Sequence, residues 1–299
     1  MQNVPHPYVT AVPEGKAGAR EGYVDTHVHI RDGSPLHAVF AAGIVALRDA
    51  GSRDAAGLRA NSAEDRSGEP LIVSAGQALY KNGGYGPLLG VPIDTLDDIK
   101  REILRLNKAG AAIIKVIASG LVSLAEPERI TPGGLNREEL FLAVQEAANY
   151  GLAVMAHANG ADAIKAAVEA GVRSVEHGFF MDDGALDVMA STGTYWTPTA
   201  SALVRAARAV AITPEMQAFI DQLIHRHRAM ILKAHRAGVP LVIGTDCVLP
   251  VEDYEARYHE ELYCFEQAGI AREEVERIAR INGARLLGID TQGQAASSR

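Results

Sequence analysis

The chain has 299 residues, of which 47% are hydrophobic and 22% are charged, so it has enough apolar side chains for a large buried core. At about 150 residues per domain this length suggests two domains, although α/β barrels routinely reach about 250 residues as one domain. Its 29 basic and 37 acidic residues give a net charge of −8, which argues against nucleic acid or an anionic membrane as the main partner.

Short apolar runs rich in β-branched residues recur along the chain, and each is followed by a helical pattern. Because these runs are apolar on both faces, they predict parallel strands that are covered by helices. Their spacing of roughly 31 residues is the size of one βα unit. The predicted strands are Tyr23–Ile30, Gly43–Leu47, Pro70–Ala75, Ala112–Ala118, Leu152–Ala158, Arg173–Gly178, Thr194–Thr199 and Pro240–Thr245.

These βα units predict an α/β fold, a closed (β/α)8 TIM barrel whose active site lies at the carboxyl ends of the strands. No low-complexity linker divides the chain, so we expect one domain over residues 1–299, with an N-terminal extension (1–22) and a frayed tail (289–299). The third strand is the least well defined, because a long glycine-rich loop, KNGGYGPLLGVP, follows it.

Several helical segments begin at recognisable residues. Thr95 and Asn136 each stand three residues before an acidic residue, which predicts a capping box at both positions. Thr213 followed by proline predicts a third helix start. The last amphipathic helix is predicted over Arg272 to Leu287.

The first predicted strand contains the motif Asp25-Thr-His27-Val-His29. Because side chains alternate along a strand, positions 25, 27 and 29 all point to one face. Two neutral imidazoles at the inner mouth of a barrel are either a costly buried polar pair or two metal ligands. The motif by itself leaves both interpretations open.

Four later positions add to this pattern. Lys115 interrupts the otherwise apolar strand AAIIKVIAS, while His157, His177 and Asp246 end the fifth, sixth and eighth predicted strands. A single strand-end histidine or aspartate is usually a satisfied polar group. Four separate strands that each place such a residue where a barrel builds its site favour a metal centre.

The chain resembles the amidohydrolase superfamily from Tyr23 to Gly288. The resemblance rests on the phrases IKVIASG, LNREELFLAVQEAANYGLAVMAHANG, AIKAAVEAGVRSVEHG, HRAGVPLVIGTD and INGARLLG. Within the superfamily, the chain is most similar to one branch. That branch contains imidazolonepropionase-like proteins together with Xaa-Pro dipeptidase-like and arginine carboxypeptidase-like enzymes. These motifs are specific for the superfamily and much less specific for a substrate.

The resemblance implies a binuclear centre of two divalent metal ions. It implies these ligands: His27, His29 and Asp246 on one ion, His157 and His177 on the other, and Lys115, carbamylated by carbon dioxide, as the bridge. Asp246 would also be the catalytic acid/base group. Nitrogen ligands with a carboxylate fit zinc best, with manganese, cobalt and iron as alternatives.

Elementary chemistry agrees with these roles. An ammonium ion cannot ligate a cation, but burial lowers the pKa of a lysine and exposes an amine that can capture carbon dioxide. Two ions about 3.5–4 Å apart can share a bridging hydroxide and polarise a scissile carbonyl. Asp246 would take the proton of that hydroxide and pass it to the leaving nitrogen.

The chain also departs from its relatives. About 22 residues precede the first strand and about 11 follow Gly288, too few for the β-sandwich that many relatives carry, so we expect little or no flanking sandwich. A homo-oligomer, in which a second subunit covers exposed faces, is one expectation.

Tyr85 stands where many relatives have histidine and would bind substrate through its hydroxyl. Asn159 likewise replaces a second histidine after His157.

Arg31 follows His29 by two residues and resembles the HxHxR arrangement of dihydroorotase-like enzymes. Its guanidinium would bind a substrate carboxylate in a bidentate manner. The alternative is an ion pair with Asp32 or another neighbour.

The predicted function is that of a metal-dependent hydrolase that cleaves an amide bond in a dipeptide, an N-acyl amino acid or a cyclic amide. The alternatives are a lactone or phosphotriester hydrolase on the same site, a deaminase, a Schiff-base aldolase that uses Lys115, and a non-catalytic barrel. Deamination is disfavoured because Lys115 is present and no HxxE motif follows His157.

Other features indicate a cytoplasmic protein with a small-molecule substrate and no nucleic acid or membrane partner. No run approaches about 18 apolar residues, and the N-terminus lacks the regions of a secretory signal. Cys247 and Cys264 cannot form a disulfide framework.

A second His-x-His pair, His225 and His227, lies in a helical pattern, where residues two apart point in nearly opposite directions.

Overall fold

A computed structural model describes residues 22–62, 66–124, 126–208 and 213–289. Most of the predicted N-terminal extension and of the predicted tail therefore lies outside the described residues. Within the described ranges the chain forms the (β/α)8 barrel that the sequence predicts, with parallel strands covered by helices. No described helix is both long enough and apolar enough to cross a membrane.

The strands are short, buried and parallel, and most coincide with the apolar runs of the sequence. In chain order they are β1 (Tyr23–Ile30), β2 (Ile44–Asp49), β3 (Leu71–Ser74), β4 (Ala78–Lys81), β5 (Gly90–Ile93), β6 (Ile113–Ile117), β7 (Ala153–Ala158), β8 (Ser174–His177), β9 (Tyr195–Thr197) and β10 (Cys247–Leu249).

Continuous ladders join these strands into two parallel groups, and hydrogen bonds across two seams close the barrel. The groups have the order β10-β1-β2-β3 and β5-β4-β6-β7-β8-β9. At one seam, the Ala112 amide donates to the Ser74 carbonyl at 2.9 Å. At the other, residues 241–246 run between β9 and β1, where the Thr26 amide donates to the Ile243 carbonyl at 2.8 Å.

Two parts of the sheet differ from the sequence prediction. The predicted eighth strand, Pro240–Thr245, forms only a single parallel bridge, between Leu241 and Trp196. The sequence predicts a loop over residues 81–92, yet β5 begins within it, and β4, just before it, is a strand that the sequence does not predict. Ala78 of β4 pairs with Gly90 of β5. A Cβ on Gly90 would lie 1.8 Å from the Ala78 carbonyl oxygen. This strand therefore requires a residue type that usually indicates a turn.

The helices cover the outside of the barrel. They are α1 (Leu36–Ala41), α2 (Ala56–Asn61), α3 (Leu96–Lys108), α4 (Arg137–Asn149), α5 (Ala161–Ala170), α6 (Asp183–Thr192), α7 (Ala200–Arg208), α8 (Pro214–Arg236), α9 (Tyr254–Gln267), α10 (Arg272–Arg277) and α11 (Gly283–Leu286). The predicted capping boxes at Thr95 and Asn136 are confirmed, and the Thr213 side chain caps α8.

The helix predicted over Arg272 to Leu287 is interrupted by a π-helical turn, Ile278–Asn282, between α10 and α11. The turn directs the Asn282 side chain toward the barrel, where its amide donates to the Leu241 carbonyl at 2.9 Å. Such turns shift the helix register locally. Here the shift supplies a partner for the segment that closes the barrel.

One large apolar cluster fills the space between the strands and the helices. A smaller cluster, which includes Val24, Ile113, Met155 and Leu287, fills the interior near the amino ends of the strands. The polar residues of the interior lie at a different level, toward the carboxyl ends. This division leaves the carboxyl end as the place for chemistry.

Candidate metal centre

The side chains predicted to bind metal meet at the carboxyl end of the barrel. Lys115, His27 and His157 are almost fully buried, with relative exposures of 1%, 1% and 2%. The rings of His27 and His177 lie 5.0 Å apart between centroids, and those of His157 and His177 lie 4.5 Å apart. The structure therefore brings histidines from β1, β7 and β8 into one cluster.

The two histidines of β1 are each held at Nδ1 and direct Nε2 at one carboxylate. His27 Nδ1 lies 2.7 Å from Glu176 Oε2, and His29 Nδ1 lies 2.6 Å from the Gly51 carbonyl oxygen. Their Nε2 atoms face Asp246 Oδ1 at 3.5 and 3.3 Å. The ligand atoms of His27, His29 and Asp246 all lie within 4.8 Å of one another, so these three side chains can hold a metal ion.

The other two histidines are also oriented by their surroundings. His157 Nε2 lies 3.0 Å from the Gly120 carbonyl oxygen, and His177 Nδ1 lies 2.8 Å from Thr199 Oγ1. Each ring is thus fixed through one nitrogen while the other nitrogen stays available. A fixed tautomer and orientation is the usual condition of a metal-ligating histidine.

Lys115 lies on β6 among these groups, and its Nζ atom has no hydrogen-bond partner among the described residues. Burial lowers its pKa to about 8, although the nearby carboxylates of Glu176 and Asp246 act in the opposite direction. A buried, unpaired ammonium is costly. The surroundings therefore favour an uncharged amine or a modified lysine, and the donor set fits a metal centre.

Two of these residues adopt left-handed backbone conformations, His177 with φ of 67° and Asp246 with φ of 55°. Glu176 and His177 are adjacent on β8, and strict alternation would send them to opposite faces. The turn at His177 lets both side chains contact the cluster, Glu176 through His27. Such conformations cost about 1–3 kcal/mol each and concentrate at functional sites.

The protonation states suit metal binding. Burial lowers the pKa of His27 to about 4 and that of His157 to about 3. Burial acts to raise the pKa of Asp246, but the contact with His29 and the other histidines hold it below its usual range. At neutral pH the cluster offers imidazole lone pairs and a carboxylate, which are the forms that ligate metals.

The predicted substrate-binding residues lie at different distances from the cluster. The Tyr85 ring lies 5.0 Å from the His157 ring, and burial together with the charge of Asp246 raises the Tyr85 pKa, so its hydroxyl stays protonated. Arg31 is exposed beyond the end of β1, and its backbone forms a turn with Ser34. The alternative partner proposed for it, Asp32, instead pairs with Arg59 at 2.8 Å.

The profile of the Amidohydrolase family matches residues 22–295. The chain belongs to this family. That membership agrees with the predicted resemblance and with the position of the histidine cluster at the carboxyl end of the barrel.

Two individual proteins are similar in sequence over different shares of the chain. The chain is 27% identical to ochratoxinase of Aspergillus niger over 204 residues, 59% of this chain, and it spans only 42% of that protein. It is 26% identical over 282 residues to an uncharacterized protein of Mycobacterium bovis, covering 89% of this chain and 74% of the relative.

Solved structures show the same fold. A Xaa-Pro dipeptidase with methionine bound in its active site superposes with a TM-score of 0.73 at 25% identity, over 90% of this chain and 75% of that one. Ochratoxinase of Aspergillus niger gives a TM-score of 0.74 at 22% identity, over 90% and 71%. The Xaa-Pro dipeptidase match agrees with the predicted branch of the family.

Sequence reasoning missed several residues that support this amidohydrolase site. Arg48 and Glu176 are fully buried inside the barrel and form an ion pair at 2.9 Å. Asp25 accepts hydrogen bonds from Thr245 Oγ1 and the Tyr254 hydroxyl, both at 2.7 Å. Charged residues within buried strands were the available signal: it singled out Lys115, while Asp25 was placed on the face of His27 and His29 without a role.

Two other expectations concern residues around the amidohydrolase cluster. Asn159 Nδ2 lies 3.3 Å from the Gly120 carbonyl oxygen and 3.2 Å from His157 Nε2, so it packs behind that ring. His225 on α8 is exposed, whereas His227 is buried and contacts the Pro198 carbonyl oxygen at 3.0 Å. The prediction that this second His-x-His pair has no shared ligand role is consistent with these positions.

Proposed function

We propose that this chain hydrolyses an amide bond with the help of two divalent metal ions, bound where the four histidines, Lys115 and Asp246 converge. The observation that carries the proposal is Lys115, a fully buried amine with no hydrogen-bond partner among the described residues, surrounded by imidazoles. A structural lysine would have an acceptor. A lysine that reacts with carbon dioxide becomes a carboxylate-like ligand and explains the position.

The ligand set divides naturally between two ions. His27, His29 and Asp246 form the group whose ligand atoms lie closest together. The rings of His157 and His177 lie 4.5 Å apart between centroids, and Lys115 lies on the strand beside that of His157. When bound, a pair of divalent ions supplies a water activated near neutral pH and polarises the scissile carbonyl. Zinc is the metal we expect from these donors.

Asp246 is the residue proposed to move the proton. Its side chain is 26% exposed, more than that of any proposed histidine ligand, so it faces both the cluster and the space where a substrate enters. Because its pKa lies below the usual range, the carboxyl group is ionised at neutral pH, which is the form that a general base requires. It would then deliver that proton to the departing amide nitrogen.

The substrate is proposed to be a dipeptide, an N-acyl amino acid or a cyclic amide. Similarity to ochratoxinase and to a Xaa-Pro dipeptidase supports an amide substrate without selecting one. The Tyr85 ring packs against the His157 ring, and its hydroxyl would donate a hydrogen bond to the substrate. Arg31 at the rim would bind an acidic group.

The test begins with the lysine. Protein prepared with zinc and ¹³C-bicarbonate should contain two zinc ions per chain and show a carbamate carbon signal. Lys115→Ala should lose that signal and most of the second ion, whereas Lys108→Ala, an exposed lysine on α3, should keep both. An unchanged zinc content in Lys115→Ala would reject the bridging lysine.

The substrate class is tested with the zinc-loaded enzyme. A panel of dipeptides, N-acyl amino acids and cyclic amides is compared with lactones and phosphotriesters, because the same ligands serve all of these. We expect the highest kcat/KM among the amides. Turnover confined to esters or phosphotriesters would contradict the amide assignment. Borohydride trapping of a substrate on Lys115 would indicate an aldolase.

A further inference from the structure

A buried arginine lies beneath the proposed metal centre. Arg48, on β2, has no exposed surface, and its guanidinium occupies the interior of the barrel. It donates hydrogen bonds to groups on three other strands: the Thr26 carbonyl at 2.5 Å, Ser174 Oγ at 2.8 Å, Glu176 Oε1 and Oε2 at 2.9 and 3.0 Å, and Thr197 Oγ1 at 3.2 Å.

Glu176 connects this arginine to His27. Its Oε1 atom also accepts a hydrogen bond from Ser174 Oγ at 2.5 Å, and its Oε2 atom lies 2.7 Å from His27 Nδ1. Both carboxylate oxygens are therefore occupied, and the plane of the carboxylate is fixed. Because Glu176 accepts the Nδ1 proton, His27 presents its Nε2 lone pair toward Asp246, 3.5 Å away.

We infer that Arg48 is a positioning residue for metal binding, because it holds Glu176 in the orientation that fixes the tautomer and direction of the His27 ring. This inference rests on the proposed metal centre. The geometry requires the planar fork of arginine, since one guanidinium contacts β1 through Nε and β8 through its terminal nitrogens. A lysine at this position would keep the charge and lose the fork.

A purely structural role is the competing explanation, since the same bonds also tie β1, β2, β8 and β9 together. The two explanations differ in what a substitution changes. A structural residue affects the stability of the whole barrel, whereas a positioning residue changes the tautomer of His27 and the affinity for one metal ion. Loss of a group behind a metal ligand typically costs about 10–100-fold in metal affinity.

The experiment compares full-length wild type with Arg48→Lys and Glu176→Gln. Zinc affinity is measured for each ion by competition with a chelator, and the melting temperature is measured without metal. In metal-free protein, ¹⁵N NMR of histidine side chains reports the His27 tautomer, with His27→Asn identifying its signal. Lys81→Met, which breaks the ion pair between Lys81 and the buried Glu139 away from the cluster, is the control for stability alone.

We expect Arg48→Lys to bind the first zinc ion, the one assigned to His27, His29 and Asp246, about 10–100-fold more weakly. The His27 ring should also no longer be found only as the Nδ1–H tautomer. Lys81→Met should lower only the melting temperature. If Arg48→Lys does not fold, Glu176→Gln, which preserves the shape of the side chain, provides the same two readings. Wild-type affinity and tautomer in a folded Arg48→Lys variant would overturn the inference.

The same measurements distinguish a failure of this inference from a failure of the proposed function. Wild-type protein that binds no zinc would contradict the proposed metal centre, and the inference would fall with it. Wild-type protein that binds two ions, together with an unaltered Arg48→Lys variant, would leave the proposed function intact and contradict only the role of Arg48.

Discussion

Two His-x-His pairs in this chain have opposite arrangements. On β1, His27 and His29 are both buried, and their Nε2 atoms both face Asp246 Oδ1. On α8, His225 is exposed while His227 is buried against the Pro198 carbonyl. The spacing is the same, but a strand repeats every two residues and a helix every 3.6. Spacing therefore has chemical meaning only together with the secondary structure.

The surroundings of the two pairs differ as well. Each histidine of β1 has a partner at Nδ1, Glu176 for His27 and the Gly51 carbonyl for His29, which leaves Nε2 directed at the cluster. His227 instead packs against the Phe179 ring at 4.3 Å and edge-on to the Trp196 ring at 5.5 Å. The first pair directs two ring nitrogens at one carboxylate, as the proposed metal site requires, and the second joins α8 to the barrel.

The largest expected effect comes from removing a proposed ligand. His29→Asn should weaken binding of the first ion by more than the about 10–100-fold that a group behind a ligand costs, and activity should be lost. His225→Asn should match wild type in both. Isothermal titration with zinc measures the difference. Equal zinc binding by the two variants would remove the distinction between the two His-x-His pairs.

A smaller loss is expected from the acid/base group. Asp246→Asn should lower kcat by about 10²–10⁴-fold, the range of general acid–base catalysis, while His27 and His29 keep metal at the site. Steady-state kinetics and metal analysis on the same preparation test this. A turnover number near that of wild type would mean that another group moves the proton.

The buried histidines should also govern acid stability. Burial lowers the pKa of His27 and His227 to about 4 and that of His157 to about 3, against about 6.5 in an unfolded chain. Between these values the unfolded chain binds more protons, so the free energy of unfolding falls as pH drops from 6.5 toward 4. We expect a loss of roughly 2 kcal/mol per histidine between pH 7 and pH 5.

Urea denaturation of metal-free protein at pH 5, 6 and 7 measures this dependence. Burial raises the pKa of Glu261 to about 7, and this group opposes the loss, because its folded form binds a proton more readily than its unfolded form. His227→Gln should remove the part of the pH dependence that one buried histidine contributes to the free energy of unfolding. His225→Gln should leave the pH dependence unchanged. Identical slopes for these two variants would contradict the assignment of His227 as a buried neutral histidine.

The smallest effect is expected at the rim. Arg31 is exposed beyond β1, so Arg31→Met should raise KM for an acidic substrate by about tenfold, the lower end for a hydrogen bond to a charged group. KM for a neutral substrate of the same size should stay within experimental error. Equal changes for both substrates would place Arg31 outside the binding site.

Much of this arrangement could be predicted because it depends on simple periodicities. Apolar runs at βα spacing gave the barrel, and the histidine positions in β1 and at the ends of β7 and β8 gave the cluster. The capping boxes at Thr95 and Asn136 followed from local hydrogen bonding alone. These features need no knowledge of distant contacts.

The remaining features depend on contacts between distant segments. Strands β4 and β5 have four residues each, and β5 contains both glycine and proline. Their pairing depends on a contact that the local sequence does not reveal, in which Gly90 packs directly on the Ala78 backbone. The adjacent residues Glu176 and His177 both face the cluster because His177 adopts a positive φ. Arg48 would be called unfavourable in a buried strand until Glu176, from β8, is placed beside it.

The segment 241–246, which lies between β9 and β1, has a consequence for synthesis on the ribosome. His27 and His29 leave the exit tunnel early, but β1 gains its second neighbour only when Thr26 can donate to the Ile243 carbonyl. Until then the nascent chain presents an unpaired strand edge, a form prone to aggregation. Translation that stalls before this segment would therefore yield an open sheet that depends on chaperones and lacks Asp246.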